Sequence, residues 1–372
     1  MRAPRLADVA AQTGVSEATV SRVLNGKPGV AESTRVAVLA AVDMLGYDRP
    51  AKLRRASVGL VGLVVPELEN PVFPAFAQAI ESGLAARDYT PILCTQTAGG
   101  IAEDDYVAMM LERGVSGIVF VSGLHADATA DMSRYHALTQ RGLPVVLVNG
   151  YQESVEAPFV SNDDVGAMAL AVGHLVGLGH RRIGLAVGQE RFVPSHRKIT
   201  GFRQAMADLV GLDDVSDLIA STLFTVEGGS QAAAQLLDAG CTAITCGSDI
   251  MALGVIAEAR RRGLSVPTDL SVVGYDDSLL MAYTDPPLTT VRQDTTGMAQ
   301  AAVSLLLAQI EGQPTPRAEL VFRPDFVVRS STGPAPQTSA AHAAMRRGEA
   351  GLSARLEGAV RTARGRRGGR SA

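Results

Sequence analysis

The chain has 372 residues, 47% of them hydrophobic, and a formal net charge of −4, enough apolar content for two or three packed domains. There is no run of about 18 apolar residues, so the usual mark of a membrane span is missing. The N-terminal MRAPRLADVAAQTGVS lacks the apolar segment of a secretory signal, so a cytoplasmic protein is expected. Cys94, Cys241 and Cys246 make no CxxC pair and no Cys/His cluster. They are expected to be buried thiols, with no metal and no cofactor implied.

Taken in chain order, residues 5–46 predict three short helices. Leu6, Val9, Ala10 and Thr13 share one face of the first, and Gly14 can end it in a left-handed conformation. Ser16 is placed to cap the second, which would bury Val20, Val23 and Leu24. Val38, Ala41, Val42 and Leu45 recur at the helical spacing of a third, closed by Gly46. Two helices joined by a tight glycine-containing turn make a helix-turn-helix. The outer side of the second carries Ser16, Thr19, Ser21, Arg22 and Asn25. Ser, Thr and Asn are indifferent helix formers, but they suit a surface that donates to phosphates and base edges.

After a basic connector, YDRPAKLRRAS, apolar runs alternate with helical segments. GLVGLVVP, TPILCTQ, GIVFVS and PVVLVNG are interleaved with helices near 74–87, 102–113 and 127–141. RRIGLAVG, TLFT, TAITCGS and SVVGYDD are interleaved with helices near 164–178, 196–210, 228–239 and 249–262, and one more follows at 294–312. Continuous apolar strands separated by helices imply parallel sheets covered on both faces. The expected architecture is a helix-turn-helix headpiece (1–46), a hinge connector (47–57) and an α/β core (58–330) of two doubly wound parallel-sheet subdomains. The first would span about 58–161 and 292–320, the second about 162–291 and 321–330. From Ser331 to 372, Ala, Gly, Ser, Pro and Arg predominate, the composition of a disordered basic tail.

Charge follows this division. Residues 1–55 carry nine Lys/Arg against five Asp/Glu, residues 331–372 carry eight Arg against two Glu, and 56–330 is left at −14. A basic head on an acidic body fits a protein whose head alone meets a polyanion, though charge by itself does not exclude ordinary scatter.

DVAAQTGVSEATVSRVLNG followed by TRVAVLAAVDMLGY resembles the headpiece of the lac repressor family. HLVGLGHRRIG, SDIMALGVIAEARRRGLSVPTDLSVVGYDD and PPLTTVRQD resemble its regulatory core, which is similar to periplasmic sugar-binding proteins. The resemblance covers about residues 5–330. It implies a transcriptional regulator, a repressor and at least a homodimer, that binds a near-palindromic double-stranded operator and answers to a small molecule, a carbohydrate. In such a headpiece the second helix enters the major groove and its first residues reach base edges. Glu17, Ala18 and Arg22 are the expected base-facing residues, with Arg22 able to contact guanine in bidentate fashion. Thr19, Ser21 and Asn25 are expected on phosphates, which set register without reading sequence, and Ser16 is expected on the same DNA-binding surface.

The family's connector wedges a Leu into the minor groove. Here only AKL at 51–53 remains of that pattern, so Leu53 is the candidate wedge, with Arg54 beside it near phosphates. Ligands of doubly wound sheets sit outside the carboxyl ends of the strands. This makes Asn149, Ser248 and Asp276 candidates. By resemblance Asp276 grips ligand hydroxyls, Phe73 and Phe224 flank the ligand, Asn149 replaces a frequent Asp, Lys198 a usual Arg, and Ser248 a frequent Asn. Rival readings find no support: no GxGxxG follows the first strand, and neither a Walker loop nor a GxSxG elbow occurs. A secreted solute-binding protein would share the core but would have no use for residues 1–46.

Overall fold

The computed structural model describes residues 4–24, 27, 29–47, 57–96 and 99–336. The headpiece contains α1 (Leu6–Thr13), α2 (Glu17–Leu24) and α3 (Glu32–Leu45). Gly14 stops α1 at φ 68° and Gly46 stops α3 at φ 61°, a left-handed backbone that suits glycine. Ser16 Oγ accepts from the Thr19 backbone N at 3.1 Å and so starts α2. Val9, Val20, Val23, Val38 and Ala41 form the buried centre, with Leu6, Leu24, Val42 and Leu45 packed around it. The apolar spacing anticipated this core. Asn25, Leu53 and Arg54 lie outside the described residues.

The core starts with β1 (Gly59–Val65), α4 (Val72–Ala85), β2 (Tyr89–Thr95), α5 (Glu103–Glu112), β3 (Gly117–Val121), α6 (Ser133–Gln140), β4 (Val145–Val148) and β5 (Phe159–Asn162). It continues with α7 (Asp164–Gly177), β6 (Ile183–Val187), α8 (Val193–Val210), β7 (Ile219–Ser221), α9 (Val226–Asp238), β8 (Ala243–Cys246), α10 (Asp249–Arg261), β9 (Ser271–Asp276) and β10 (Thr289–Arg292). The final elements are α11 (Thr295–Ile310), β11 (Glu319–Phe322) and β12 (Asp325–Val327). Every residue of β3, β4, β5, β6, β8 and β9 is buried, the condition of parallel strands covered on both faces.

Two six-stranded sheets result, ordered β11-β5-β4-β3-β1-β2 and β12-β10-β9-β8-β6-β7. The same doubly wound order therefore occurs twice, with one antiparallel pairing at the edge of the second sheet, between β10 and β12. The chain crosses between sheets three times. It leaves sheet one after β5 and enters α7, which packs on α8 and on β10 and β12 of sheet two. It leaves sheet two after β10 and enters α11, which packs on β3, β4 and β5. It crosses again between β11 and β12. Asp163 and Asp294 cap the helices at the first two crossings, accepting from the Gly166 and Gly297 backbone N at 2.9 and 2.8 Å.

Three expectations are corrected. TLFT is not a strand. The strand is Ile219–Ser221, and the four residues after it form a connection into α9. The helix expected near 127–141 is shorter, Ser133–Gln140, because residues 124–126 form a single 3-10 turn and Asp127 pairs with Phe192. Nor does disorder begin at Ser331. Ser331 is buried and its backbone carbonyl accepts from Val272 N at 2.8 Å, Gly333 N donates to Ser271 Oγ at 3.0 Å, and Ala335 N donates to Leu178 O at 2.9 Å. This stretch is held by its backbone and small polar side chains, which apolar content does not register. Residues 337–372 lie outside the described part. All three cysteines are free and buried, and burial pushes the Cys241 thiol up to about 12.

Candidate effector cleft and DNA-reading helix

The carboxyl ends of the strands in both sheets converge on one cavity of about 470 Å³. Pro66 and Glu67 follow β1, Gln96 follows β2, Ser122 follows β3 and Asn149 follows β4. From sheet two come Phe224 after β7, Gly247 and Ser248 after β8, Tyr275 and Asp276 from β9, and Gln293 after β10. All six residues proposed from the sequence, Phe73, Asn149, Lys198, Phe224, Ser248 and Asp276, line it. Ser122, Asn149 and Asp276 have φ of 46°, 62° and 118°, a region that non-glycine residues rarely adopt and that clusters at ligand sites.

The sheet-two wall is a buried charged network. Lys198 Nζ lies 2.8 Å from Asp164 Oδ1 and 3.9 Å from the centre of the Tyr275 ring. Tyr275 donates its hydroxyl to Asp164 and accepts from Asn162 Nδ2 at 2.6 Å. Lys198 therefore meets the cavity as half of an ion pair. Gln293 Nε2 donates to Asp276 Oδ1 at 2.6 Å, while Asp276 Oδ2 is buried and has no hydrogen-bond partner among the described residues. Burial first, and then the neighbouring Asp249 carboxylate, raise Asp276 well above the usual carboxylate range. Asp249, held by Thr290 Oγ1 at 2.6 Å and Ser278 N at 2.7 Å, is itself pushed up to about 6 by burial. Ser248 Oγ accepts from Met251 N at 3.4 Å, so it also caps α10.

Phe224 owes its place to two glycines. A Cβ on Gly188 would stand 1.9 Å from Phe224 Cε2, and one on Gly247 would stand 3.2 Å from Cε1. The ring lies against bare backbone at the ends of β6 and β8 and presents an apolar surface to the cavity. On the sheet-one side Phe73 sits at the start of α4, and Asn149 Nδ2 donates to Ser122 Oγ at 3.1 Å. One edge of the cleft is fastened between the sheets: Asp127 bridges to Phe192, Ala128 N donates to Arg191 O at 2.9 Å, and Arg191 Nη1 lies 3.3 Å from Asp127 Oδ2.

Asp164, Tyr275, Gln96 and Gln293 were missed from the sequence. Asp164 and Gln293 sit in SNDD and VRQD, polar clusters that follow apolar strands, and that position could have marked them. Nothing local marked Gln96 or the tyrosine inside VVGYDD.

In the headpiece Val20 and Val23 of α2 are buried, while Glu17, Ala18 and Arg22 are exposed. Ala18 and Arg22 stand one turn apart on the same face. Ser16 and Thr19 hydroxyls lie 3.0 Å from each other, so both serve the start of the helix as well as its surface.

A family model described as bacterial regulatory proteins, lacI family, matches residues 5–49, and a periplasmic binding protein-like domain model matches 172–332. The HTH-type transcriptional regulator MalR of Streptomyces coelicolor is 59% identical over 335 residues, 89% of this chain and 97% of that protein. The chain belongs to the lacI family of bacterial regulatory proteins. Two solved members carry the likeness into three dimensions. The transcriptional regulator CelR in complex with cellobiose is 31% identical, with a TM-score of 0.67 over 88% of this chain and 99% of that one. The lac repressor dimer bound to operator and the anti-inducer ONPF is 26% identical, with a TM-score of 0.64 over 89% of this chain and 100% of that one. This lacI-family chain thus combines a DNA-binding headpiece with a ligand-binding type of core.

Proposed function

We propose that this regulator is a repressor, working in the cytoplasm as a homodimer, whose two headpieces read the halves of a near-palindromic operator. A neutral carbohydrate of about disaccharide size, bound between the two sheets, controls its operator affinity. The observation that carries this reading is the convergence of strand ends from both sheets on one cavity of about 470 Å³, within the usual range of small-molecule sites, roughly 300–1,000 Å³. Phe73 and Phe224 suit the apolar faces of sugar rings, and Asn149, Ser248 and Asp276 suit their hydroxyls. The similarity to a cellobiose-bound regulator supports the ligand class.

In the headpiece, Arg22 and Ala18 are the base-reading pair, Glu17 borders them, and Ser16, Thr19, Ser21 and Asn25 face phosphates. Leu53 and Arg54 are proposed as the connector's minor-groove wedge and its phosphate partner. For the second copy, Leu279, Leu280 and Tyr283 form an apolar surface, 82%, 63% and 81% exposed, on sheet two's side of the core. Because three separate segments join the sheets, a ligand touching both can bias their relative pose. It does so only to the extent that it binds one pose more tightly than the other.

The experiment is calorimetric titration of the full chain with cellobiose and with maltose, followed by operator binding with and without the sugar that binds. Micromolar binding together with a changed operator affinity supports the reading. A protein that binds operator but neither sugar refutes the ligand class and leaves the DNA reading in place.

A further inference from the structure

The sheet-one wall of the cleft is organised from behind by a buried carboxylate that the reading above does not use. Glu103 opens α5 and is 2% exposed. It accepts from Gln96 Nε2 at 2.6 Å, from the Leu124 backbone N at 3.1 Å and from the Tyr135 hydroxyl at 2.5 Å. The Tyr135 oxygen in turn accepts from His125 N at 2.9 Å. The His125 ring Nε2 reaches the Asn149 carbonyl at 2.7 Å, and since a carbonyl only accepts, that nitrogen carries the proton. The loop after β3 folds this closely onto the carboxylate because residue 123 is glycine: a Cβ there would stand 2.6 Å from Glu103 Oε2. One carboxylate thus ties together the end of β2, the loop after β3 and the start of α6.

Of the three residues that donate directly to Glu103, Gln96 is the one that lines the cavity. An amide beside a carboxylate must turn its NH₂ toward the anion, because its own oxygen would be repelled. The Gln96 carbonyl oxygen is then left for the cavity side, with no protein donor on it among the described residues. We propose that Gln96 binds the effector by offering this oxygen to a ligand hydroxyl, and that Glu103 is the positioning residue that sets the polarity of the amide. Three donors converge on Glu103, two of them on the same oxygen. Both carboxylate oxygens are therefore needed, and no neutral side chain of this length supplies two acceptors. The proposal rests on the carbohydrate reading of the cleft.

Two readouts test it on the full chain. In calorimetric titration with cellobiose and maltose, Gln96→Ala should weaken binding about five- to tenfold, the scale of one neutral hydrogen bond. Glu103→Met, similar in length but with only a weak thioether acceptor, should weaken it by about the same factor. The double variant should be little worse than either, because the two residues act through one contact. Unchanged affinity in Gln96→Ala, or losses that multiply in the double variant, would overturn the proposal. The second readout needs no sugar. Hydrogen exchange at the Leu124 and His125 amides should speed up in Glu103→Met and stay at the parent rate in Gln96→Ala; parent-like exchange in Glu103→Met would overturn the positioning role. If Glu103→Met does not fold, Glu103→Gln, with one acceptor oxygen for three donors, is read in the same way. A parent that binds neither sugar overturns the carbohydrate reading and the effector role of Gln96 with it, while exchange still decides what Glu103 holds.

Discussion

The headpiece and the cleft make opposite kinds of site. Among its described residues the headpiece buries five apolar side chains, and its proposed reading surface is the outside of one eight-residue helix, where Ala18 and Arg22 are exposed. The cleft draws on segments from Pro66 to Gln293 and keeps the charged groups of its sheet-two wall largely out of water, with Lys198 and Asp276 only 4% and 7% exposed. An exposed site works through charge on a partner that brings its own, so it answers to salt and to single side chains. A buried site works through desolvated hydrogen bonds that must be satisfied, so it answers to protonation and to the residues behind it.

Salt should separate the two most sharply. If a pair of headpieces contacts about six to ten phosphates, operator affinity should fall roughly a thousandfold or more between about 50 and 200 mM salt. Affinity for a neutral sugar should be nearly flat over the same range. A steep salt dependence of sugar binding in calorimetry would break the comparison.

Asp276→Ala should weaken sugar binding by about one to two orders of magnitude, since a buried sugar hydroxyl left without its partner costs ~1–3 kcal/mol. Operator affinity without sugar should stay at the parent value. The variant should also lose the sugar's effect on DNA at concentrations that saturate the parent, because coupling is reciprocal. Unaltered sugar affinity in the folded variant would remove Asp276 from the site.

Arg22→Ala is the mirror experiment. Operator affinity should drop about five- to a hundredfold with relaxed preference at one base position, and sugar affinity should not change. Equal weakening on every sequence, measured by anisotropy, would show that Arg22 touches only phosphate.

The smallest effect is one of stability. Asp249 and Asp276 both have raised values in the folded core, chiefly through burial. A carboxyl raised by folding contributes stability that is fully present below its unfolded value and is lost as pH rises through its folded one. For Asp249 that window runs from about 4 up to about 6. Their contribution to the thermal midpoint of the core should therefore decline as pH rises from about 4 through 6 and beyond, against the opposite trend of His125, His174 and His180, whose values burial lowers. Asp276→Asn, which keeps the oxygen that accepts from Gln293, should flatten the decline and raise the midpoint at neutral pH by about a few degrees. An Asn variant whose gain over the parent does not grow with pH, or one less stable than the parent at neutral pH, would contradict the assigned direction.

Local pattern carried much of this protein. The three headpiece helices were legible because each buries residues at helical spacing and two end on a glycine that backbone geometry favours there. Both sheets were legible because buried parallel strands are continuous apolar runs. Cleft residues that stand at strand ends, Asn149, Ser248 and Asp276, could be named because topology puts the carboxyl ends of the parallel strands on the same side of a doubly wound sheet. Tertiary structure alone decided what those residues touch. That Lys198 is spent on Asp164, that Asp276 leans on Gln293 at the end of the next strand, and that Phe224 rests on Gly188 are contacts between residues 17 to 36 positions apart in sequence. Glu103 reaches 32 positions, to Tyr135. No spacing rule spans such separations, because the folded path between the partners determines the distance, and hydrogen bonds and burial act on distance.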